Sequence, residues 1–209
     1  GTLGRLILGL LIKSPKKVKI IGDKSLSKRD FSRVTVPLEK FGVKFSYKIK
    51  NKLPLTILGT QSAEGIKYLE NKGSAQCKSS IMLAALNASG TTSIKAKKSR
   101  NHTELLFKYL KIPIKVRKTK KFDFIDIKKP KKINAFDYQI PGDISSSAFF
   151  MVLTTLANNS KLLIKNININ LSRVGVITIL RKMGAQITLK NKKNYRGEKI
   201  SDILIKSSK

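Results

Sequence analysis

The sequence predicts a mixed α/β protein in which apolar helices lie inside and sheets lie outside. Three observations support this fold class. Stretches with helical and strand periodicity alternate along the 209 residues, one succession of them recurs at a pitch of about 70 residues, and several helical stretches are too apolar for an exposed surface. Each of the three rounds contains a helix, a strand, a helix and two further strands.

The first round covers the beginning of the chain. Pro37 lies within its second helical stretch, where the missing N–H and the ring predict that the helix kinks or restarts. Helices are predicted at 2–12 and 29–41, and strands at 17–21, 42–45 and 53–58.

The second round begins with the helical stretch 74–88. Its apolar positions recur at helical spacing and form one stripe, and Gly90 is predicted to follow the helix at the C′ position. Cys77 belongs to that stripe, so it is predicted to lie in the core. The stripe consists of Cys77, Ile81, Ala84 and Ala85.

The second helix of this round is predicted at 101–110. Asn101 is placed to cap it, with Glu104 three residues later as in a capping box, and Pro113 ends the helical pattern. The strands of the round are predicted at 91–96, 114–116 and 122–127.

The third round repeats the same succession. Asp143 is predicted to cap its first helix, and Gly42 and Gly184 hold equivalent positions two rounds apart. Helices are predicted at 143–156 and 172–183, and strands at 161–167, 186–189 and 202–205. The apolar residues that place the first of these helices inside are Phe149, Phe150, Val152, Leu153 and Leu156.

The composition excludes several classes of protein. One cysteine excludes an internal disulfide and a thiolate zinc site, and one histidine excludes a multi-histidine metal centre. The longest apolar runs, 6–12 and 148–153, are far shorter than the ~20 residues that span a bilayer. The chain opens with Gly1 rather than Met, and we expect it to be a fragment or a processed piece of a longer protein without a signal peptide.

The net charge of +32 indicates an anionic partner or simply a solvated basic surface. Of the 44 basic residues, eight are arginines, which leaves 36 lysines. Because nucleic-acid readers favour arginine, and no RNP-type, helix-turn-helix or zinc-finger pattern is present, we expect no specific nucleic-acid partner. A basic polynucleotide-binding module remains an alternative function.

The predicted helices suggest an anion site. If several inward helices point their amino-terminal ends the same way, their free N–H groups focus positive potential at one end of the domain. The predicted amino-terminal positions are 1–2, 74–76, 99–101 and 142–143.

Five motifs follow one another along the chain: GTLGRLILGLL (1–11), GDKSLSKRDFSRV (22–34), SAQCKSSIMLAAL (74–86), SRNHTE (99–104) and PGDISSSAFF (141–150). In their order and spacing they resemble the 5-enolpyruvylshikimate-3-phosphate (EPSP) synthase family. The resemblance implies the inside-out α/β barrel of the enolpyruvyl transferases, in which each of two domains has three βαβαββ units. Residues 1–139 would then form most of one domain, and 140–209 the opening unit of the other.

The resemblance also implies a reaction. The family transfers the enolpyruvyl group of phosphoenolpyruvate to the 5-hydroxyl of shikimate 3-phosphate and releases phosphate, in aromatic amino-acid biosynthesis. It implies no metal or organic cofactor, no membrane partner, a cytoplasmic location and a monomer when complete. The family's catalytic carboxylates match no residue of this sequence, so the chain alone is expected to be inactive.

The family's substrate ligands carry over position by position. Those matching phosphoenolpyruvate ligands are Gly1, Arg29 and Gln76. Those matching shikimate 3-phosphate ligands are Ser74, Ala75, Gln76, Ser99 and Arg100. Further possible contacts are Thr2, Arg5 and His102.

Several of these residues have simpler interpretations. Gly1 and Ser74 are also suited to capping a helix, Arg5 to a salt bridge at the edge of the core, and His102 to a capping or surface position. Two further alternatives apply to the whole chain. One is the related enolpyruvyl transferase that acts on UDP-N-acetylglucosamine, which presents a reactive cysteine on an exposed loop; the other is a degenerate repeat domain without activity.

Overall fold

A computed structural model describes residues 1–208, which form seven α-helices and ten strands in three sheets. The chain divides into two compact units. Unit 1 comprises Gly1–Ser99 and Leu110–Ile133, and unit 2 comprises Arg100–Tyr109 and the chain from Asn134 onward. The resemblance implies a different division, in which one domain ends at residue 139 and the next begins at residue 140. That domain boundary stays a prediction.

The first part of unit 1 confirms the predicted succession, with differences at the second helix. That helix begins at Ser32, because Asp30 accepts the Ser32 N–H, and it continues through Pro37 without a restart. A short helix capped by Asp23 precedes it and was not predicted. The elements are α1 (Thr2–Leu10, followed by the 3₁₀ turn Leu11–Lys13), β1 (Val18–Ile20), α2 (Lys24–Ser27), α3 (Ser32–Glu39), β2 (Lys44–Tyr47) and β3 (Leu55–Leu58).

The second part of unit 1 contains one helix and four strands. They are β4 (Lys67–Glu70), α4 (Ala75–Ala85), β5 (Thr91–Lys97), β6 (Ile114–Lys118) and β7 (Phe122–Lys128). Strand β4 was not predicted. The prediction that Gly90 follows α4 at C′ is wrong, because Leu86 is the C-cap and Gly90 instead takes a φ of +71° just before β5.

Helix α4 lies at the centre of unit 1, which confirms the prediction of inside helices there. Ile81 and Met82 are fully buried, and even Lys78 has no exposed surface. Helix α1 crosses α4 so closely that a Cβ on Gly9 would lie 2.2 Å from the Ser80 carbonyl oxygen. The two helices can therefore approach only because residue 9 is glycine.

Unit 2 contains α5 (His102–Tyr109), α6 (Ile144–Leu156), β8 (Lys161–Asn168), α7 (Gly175–Lys182), β9 (Gln186–Tyr195) and β10 (Glu198–Lys206). Its core lies between α6, α7 and one face of the sheet. The final hairpin is longer than predicted, because polar residues continue both strands. Within residues 1–208, no helix is long and apolar enough to cross a bilayer.

The prediction that the apolar residues of α6 lie inside is wrong for all five residues on which it was based. Phe149, Leu153 and Leu156 are 79%, 64% and 77% exposed, and Phe150 and Val152 are also exposed. The helix packs on the core of unit 2 through its other face, which carries Ile144, Ser147, Met151 and Thr154. One helix face suffices for that packing, so apolar content alone did not indicate burial on all sides.

The repeat predicted from the sequence is confirmed by sheet topology. In each round the first strand pairs with the third and the third with the second, all antiparallel: β1-β3-β2, β5-β7-β6 and β8-β10-β9. Gly42 and Gly184 take nearly the same left-handed φ, +93° and +91°, and Lys111 takes φ +55° in the second round. The second and third rounds also share an extended segment before their first helix, which pairs in parallel with the first strand after that helix. In the second round β4 runs parallel to β5, and in the third Gly142 makes a parallel bridge to Ile167 of β8.

Candidate functional site

The amino-terminal ends of α1 and α4 carry the predicted ligands of unit 1. Gly1 is the N-cap of α1, and Ser74 is the N-cap of α4, where its Oγ accepts the Cys77 N–H at 3.2 Å. The capping interpretation of Ser74 is thus confirmed. Ala75 is the first residue of α4 and is half-buried.

Gln76 joins α4 to α1. Its Oε1 accepts a hydrogen bond from Arg5 Nη1 at 2.9 Å, and its Nε2 donates to Thr2 Oγ1 at 2.9 Å. Thr2 and Arg5 stand about one turn apart in α1, so both can reach the same amide. The structure therefore brings three of the predicted residues into direct contact.

Arg5 is held rigidly at this junction. Its side chain also donates to the Asp30 carbonyl oxygen at 3.1 Å and lies 5.2 Å from the centre of the Phe31 ring. Both of its acceptors are neutral, and Arg5 is only 8% exposed. The alternative prediction for Arg5 was a salt bridge at the edge of the core, but these two hydrogen bonds go to neutral oxygen atoms.

Arg29 lies beside Gly1. A Cβ built on Gly1 would be 3.2 Å from Arg29 Nη1 and 3.9 Å from Arg5 Nη1, so both guanidinium groups border the first residue of the chain. Helix α2 positions Arg29, because the Asp23 side chain caps it and the Arg29 N–H donates to the Leu26 carbonyl at 3.1 Å. The GDKSLSKR segment is thus a capped turn that ends at an arginine.

The cluster has an excess of positive charge. Burial lowers the pKa of Arg5, and the nearby cations Arg33 and Arg29 lower it further, while the Asp30 carboxylate opposes the shift without cancelling it. Such repulsion among cations is relieved when an anion binds between them. Arg33 was not predicted, although it lies in the same motif as Arg29.

The other two predicted ligands of shikimate 3-phosphate, Ser99 and Arg100, are adjacent in sequence, where the chain passes from unit 1 to unit 2. Ser99 ends the first segment of unit 1, and its buried Oγ has no hydrogen-bond partner among residues 1–208. Arg100 begins unit 2 and is exposed.

In unit 2, His102 does not behave as a free surface residue. Its Nδ1 lies 2.5 Å from Glu198 Oε1, and Glu198 Oε2 accepts from Asn170 Nδ2 at 3.3 Å. Burial would raise the pKa of Glu198, but hydrogen bonds from His102 and Asn168 hold it below its usual range. Asn170 Nδ2 also donates to Asn101 Oδ1 at 2.8 Å, so the network fixes the two residues that follow Arg100.

This network borders a cavity of about 620 Å³ in unit 2. Arg100, Asp143 and Arg173 line it together with His102 and Glu198. Asp143 caps α6 as predicted, and its carboxylate also accepts from Arg173 Nη2 at 3.0 Å. Burial opposes ionisation of Asp143, yet hydrogen bonds from the Ser145 N–H and Arg173 keep its pKa below the usual value.

Cys77 is a core residue, as predicted. It is 2% exposed, and burial raises the pKa of its thiol to about 12. Such a thiol is not a nucleophile at neutral pH. Among residues 1–208, no group of three or more histidine, cysteine and acidic residues could hold a metal ion.

Comparison with solved structures first defines the class of fold. The enolpyruvyl transferase NikO from Streptomyces tendae superposes with a TM-score of 0.68 over 97% of this chain and 46% of that one, at 13% identity. This likeness shows the fold alone. EPSP synthase from Acinetobacter baumannii superposes with a TM-score of 0.84 at 36% identity, over all of this chain and 46% of that one.

The sequence comparisons then show the family. Residues 1–207 match the profile described as "EPSP synthase (3-phosphoshikimate 1-carboxyvinyltransferase)". Curated proteins named 3-phosphoshikimate 1-carboxyvinyltransferase are 40% identical in Thermoanaerobacter sp. and 37% in Bacillus subtilis, over 210 residues that cover all of this chain and 48% of each relative. The chain belongs to the EPSP synthase family, and it spans about half the length of these relatives.

Proposed function

We propose that this chain is part of an enzyme that transfers the enolpyruvyl group of phosphoenolpyruvate to the 5-hydroxyl of shikimate 3-phosphate, that the chain alone is inactive, and that unit 1 supplies part of the enzyme's anion-binding surface. The observation that carries the proposal is the cluster of Gly1, Arg5, Arg29 and Gln76 at the ends of two helices. Both substrates are small phosphorylated acids, which require N–H donors and guanidinium groups close together.

Phosphoenolpyruvate is proposed to bind at Gly1, Arg29 and Gln76. Arg29 is exposed and its guanidinium borders the start of α1, so a carboxylate or phosphate there would meet charge-assisted donors together with the free N–H groups of the helix. Because Gly1 has no Cβ, the backbone can come close to the ligand. Arg5 is proposed as a positioning residue that orients Gln76, since it donates to that amide oxygen and is itself nearly buried.

Shikimate 3-phosphate is proposed to bind Ser74, Ala75 and Gln76, and the family match adds Ser99 and Arg100. The capping role of Ser74 leaves the other lone pair of its hydroxyl oxygen available for a ligand. The unpartnered, buried Oγ of Ser99 supports a role for this residue, because a buried hydroxyl is normally hydrogen-bonded.

The chemical contribution of these residues would be electrostatic. In the addition, the 5-hydroxyl oxygen bonds to C2 of phosphoenolpyruvate, the C3 methylene gains a proton and the hydroxyl loses one, which gives a tetrahedral intermediate. In the elimination, the bond from C2 to the phosphate oxygen breaks and C3 loses a proton, which restores the double bond and releases phosphate. Arginines and helix N–H groups that are already fixed stabilise the charge on the leaving phosphate without reorganising. The groups that move protons are not assigned among residues 1–208.

We further propose that the complete enzyme acts as a cytoplasmic monomer in aromatic amino-acid biosynthesis, without a metal, a cofactor or a membrane partner. The alternative acting on UDP-N-acetylglucosamine is not favoured, because the chain belongs to the EPSP synthase family and Cys77 is buried.

Isothermal titration of shikimate 3-phosphate into the chain tests the proposal. We expect saturable binding that Gln76→Ala and Arg100→Ala each weaken at least about tenfold, as expected when a hydrogen bond to a charged group is lost. Gln61→Ala and Lys121→Ala, at exposed positions, are matched controls and should bind as the parent does. Equal affinity in all five proteins would contradict the assignment.

A further inference from the structure

The outer face of the four-stranded sheet in unit 1 carries a feature unrelated to the anion cluster. The sheet order is β4-β5-β7-β6, so β5 and β7 are the central strands. On β7, Asp123 and Ile125 are buried while Phe122 and Phe124 alternate with them and are half-buried. Because side chains alternate between the two faces of a strand, both rings lie on the outer face of a central strand.

Basic side chains surround these rings. Strand register places Lys95 opposite Phe124 and Leu69, Arg117 opposite Phe124, and Lys67 opposite Ser93. A groove of about 700 Å³ lies on this face. Its basic lining residues are Lys67, Lys95, Lys115 and Arg117, and its acidic lining residue is Asp126.

The register of the four strands places each basic residue of the groove opposite a residue that is not basic. Lys115 lies opposite Asp126, whose Oδ1 accepts from Ser93 Oγ at 2.6 Å. None of the groove's four basic residues lies directly opposite another, so the sheet tolerates four cations with little direct repulsion. The face nevertheless keeps an excess of positive charge.

The cations lie against the rings. Arg117 Cζ is 4.0 Å from the centre of the Phe124 ring, and Lys95 Nζ is 4.9 Å from the centre of the Phe122 ring and 5.8 Å from that of Phe124. Such contacts restrict the side chains before any ligand arrives. A guanidinium stacked on a ring also offers its own planar face to a third planar group.

We propose that this groove binds single-stranded nucleic acid without sequence specificity. Phosphates would bind Lys67, Lys95, Lys115 and Arg117, and bases would stack on Phe122, Phe124 or the Arg117 plane. Aromatic residues on the open face of a four-stranded sheet are the arrangement by which such sheets stack unpaired bases, and here basic residues of the other three strands lie around them. Duplex DNA would satisfy the cations but not the rings, because its bases are already stacked.

This proposal does not depend on the enolpyruvyl transfer. The groove residues are all outside the anion cluster, and substitutions in them test one proposal without disturbing the other. The sequence showed many lysines and no RNP-type motif, so only strand pairing reveals that the two phenylalanines and four cations share a face.

The test is fluorescence anisotropy of a labelled oligothymidylate of about 12 nucleotides with three variants of the chain. The first variant combines Lys95→Gln, Lys115→Gln and Arg117→Gln in the groove. The second combines Lys190→Gln, Lys192→Gln and Lys193→Gln, which are exposed in unit 2 and remove the same charge. The third combines Phe122→Leu and Phe124→Leu, with the pair Phe122→Tyr and Phe124→Tyr as its stacking-competent control.

We expect the groove triple variant to lower the slope of log affinity against log salt by about 2, and the unit 2 triple variant to leave it nearly unchanged. The Phe122→Leu and Phe124→Leu variant should bind the oligothymidylate at least about tenfold more weakly than the parent chain. The Phe122→Tyr and Phe124→Tyr variant should bind it about as tightly as the parent chain. Circular dichroism shows whether each variant is folded. If the leucine variant is unfolded, comparison of the two triple variants tests whether binding depends on the groove or only on net charge.

Equal loss in both triple variants would overturn the proposal, since binding would then follow net charge alone. Tighter binding of a duplex of the same length, or heparin binding that is equally sensitive to the leucine pair, would overturn it as well. The groove variants should bind shikimate 3-phosphate as the parent chain does, which separates the loss of this surface from a general fold defect.

Discussion

Arg5 Nη1 donates a hydrogen bond of 2.9 Å to Gln76 Oε1, across 71 positions of sequence. The bond joins the amino-terminal end of α4, whose N-cap is Ser74, to α1, whose N-cap is Gly1. A neutral acceptor does not compensate the positive charge of the arginine, and Asp30 nearby compensates it only in part, because the pKa of Arg5 remains lowered. The proposed function depends on this arrangement, because two phosphorylated acids need cations that are fixed but not neutralised.

Gly1→Ala should weaken binding of phosphoenolpyruvate more than binding of shikimate 3-phosphate. The new Cβ would lie 3.2 Å from Arg29 Nη1, and that flexible guanidinium would shift by a few tenths of an ångström. Separate titrations of the two substrates measure the difference. Gly175→Ala, with no atom near the added Cβ, is the control and should change neither affinity; an unchanged phosphoenolpyruvate affinity in Gly1→Ala would argue against Arg29 as its ligand.

Gly9→Ala should destabilise unit 1 by about 1–3 kcal/mol or more. Its Cβ would lie 2.2 Å from the Ser80 carbonyl oxygen, so α1 and α4 would have to separate. Urea unfolding followed by circular dichroism measures the free energy of unfolding. Gly175→Ala should leave stability unchanged or raise it, because alanine favours a helix over glycine; a neutral Gly9→Ala would mean that the helices do not cross this closely.

The stability of unit 2 should depend on ionisation of Glu198. Its pKa in the folded protein is below the ordinary 4.5, so its contribution is complete above that value and is lost as the pH falls through the lower folded pKa. Glu198→Gln should cost about 1–3 kcal/mol at pH 7 and flatten this acid-side loss. Unfolding curves between pH 7 and acid measure both effects, and exposed Glu39→Gln should leave the pH profile of the parent intact.

Cys77 should resist alkylation in the folded protein. Burial raises the pKa of its thiol to about 12, so the reactive thiolate is scarce and inaccessible. Intact mass after iodoacetamide treatment at pH 8 should show the unmodified chain, and the same treatment in urea should add one group. Rapid modification of the native chain would instead support the exposed cysteine of the alternative transferase.

Local signals in the sequence predicted the repeat well. Ser74 and Asp143 cap their helices because capping depends on residues within one turn. Gly42 and Gly184 marked equivalent left-handed positions, but Lys111 takes the same conformation in the second round without a glycine to show it. Strand β4 was missed, because it precedes the first helix of its round and the predicted succession begins with that helix.

Long-range contacts could not be predicted in the same way. Nothing in the pattern near His102 or Asn101 indicates Glu198 or Asn170, which lie about 70 to 100 positions away. The family resemblance named Gln76 as a ligand but not its bonds to Thr2 and Arg5. The exposed phenylalanines of α6 were misassigned because a helical pattern shows where apolar residues point, not whether another element covers them.

Replacing Gln76 by glutamate tests the central claim most directly. The glutamate keeps the size of the side chain but places a carboxylate against Arg5, so it neutralises the cation and repels phosphorylated acids. Calorimetric titration of shikimate 3-phosphate should show binding to the parent chain and none to Gln76→Glu, while thermal unfolding of the variant is unchanged or occurs at higher temperature. Undiminished affinity in Gln76→Glu would show that this cluster does not hold the anionic substrate.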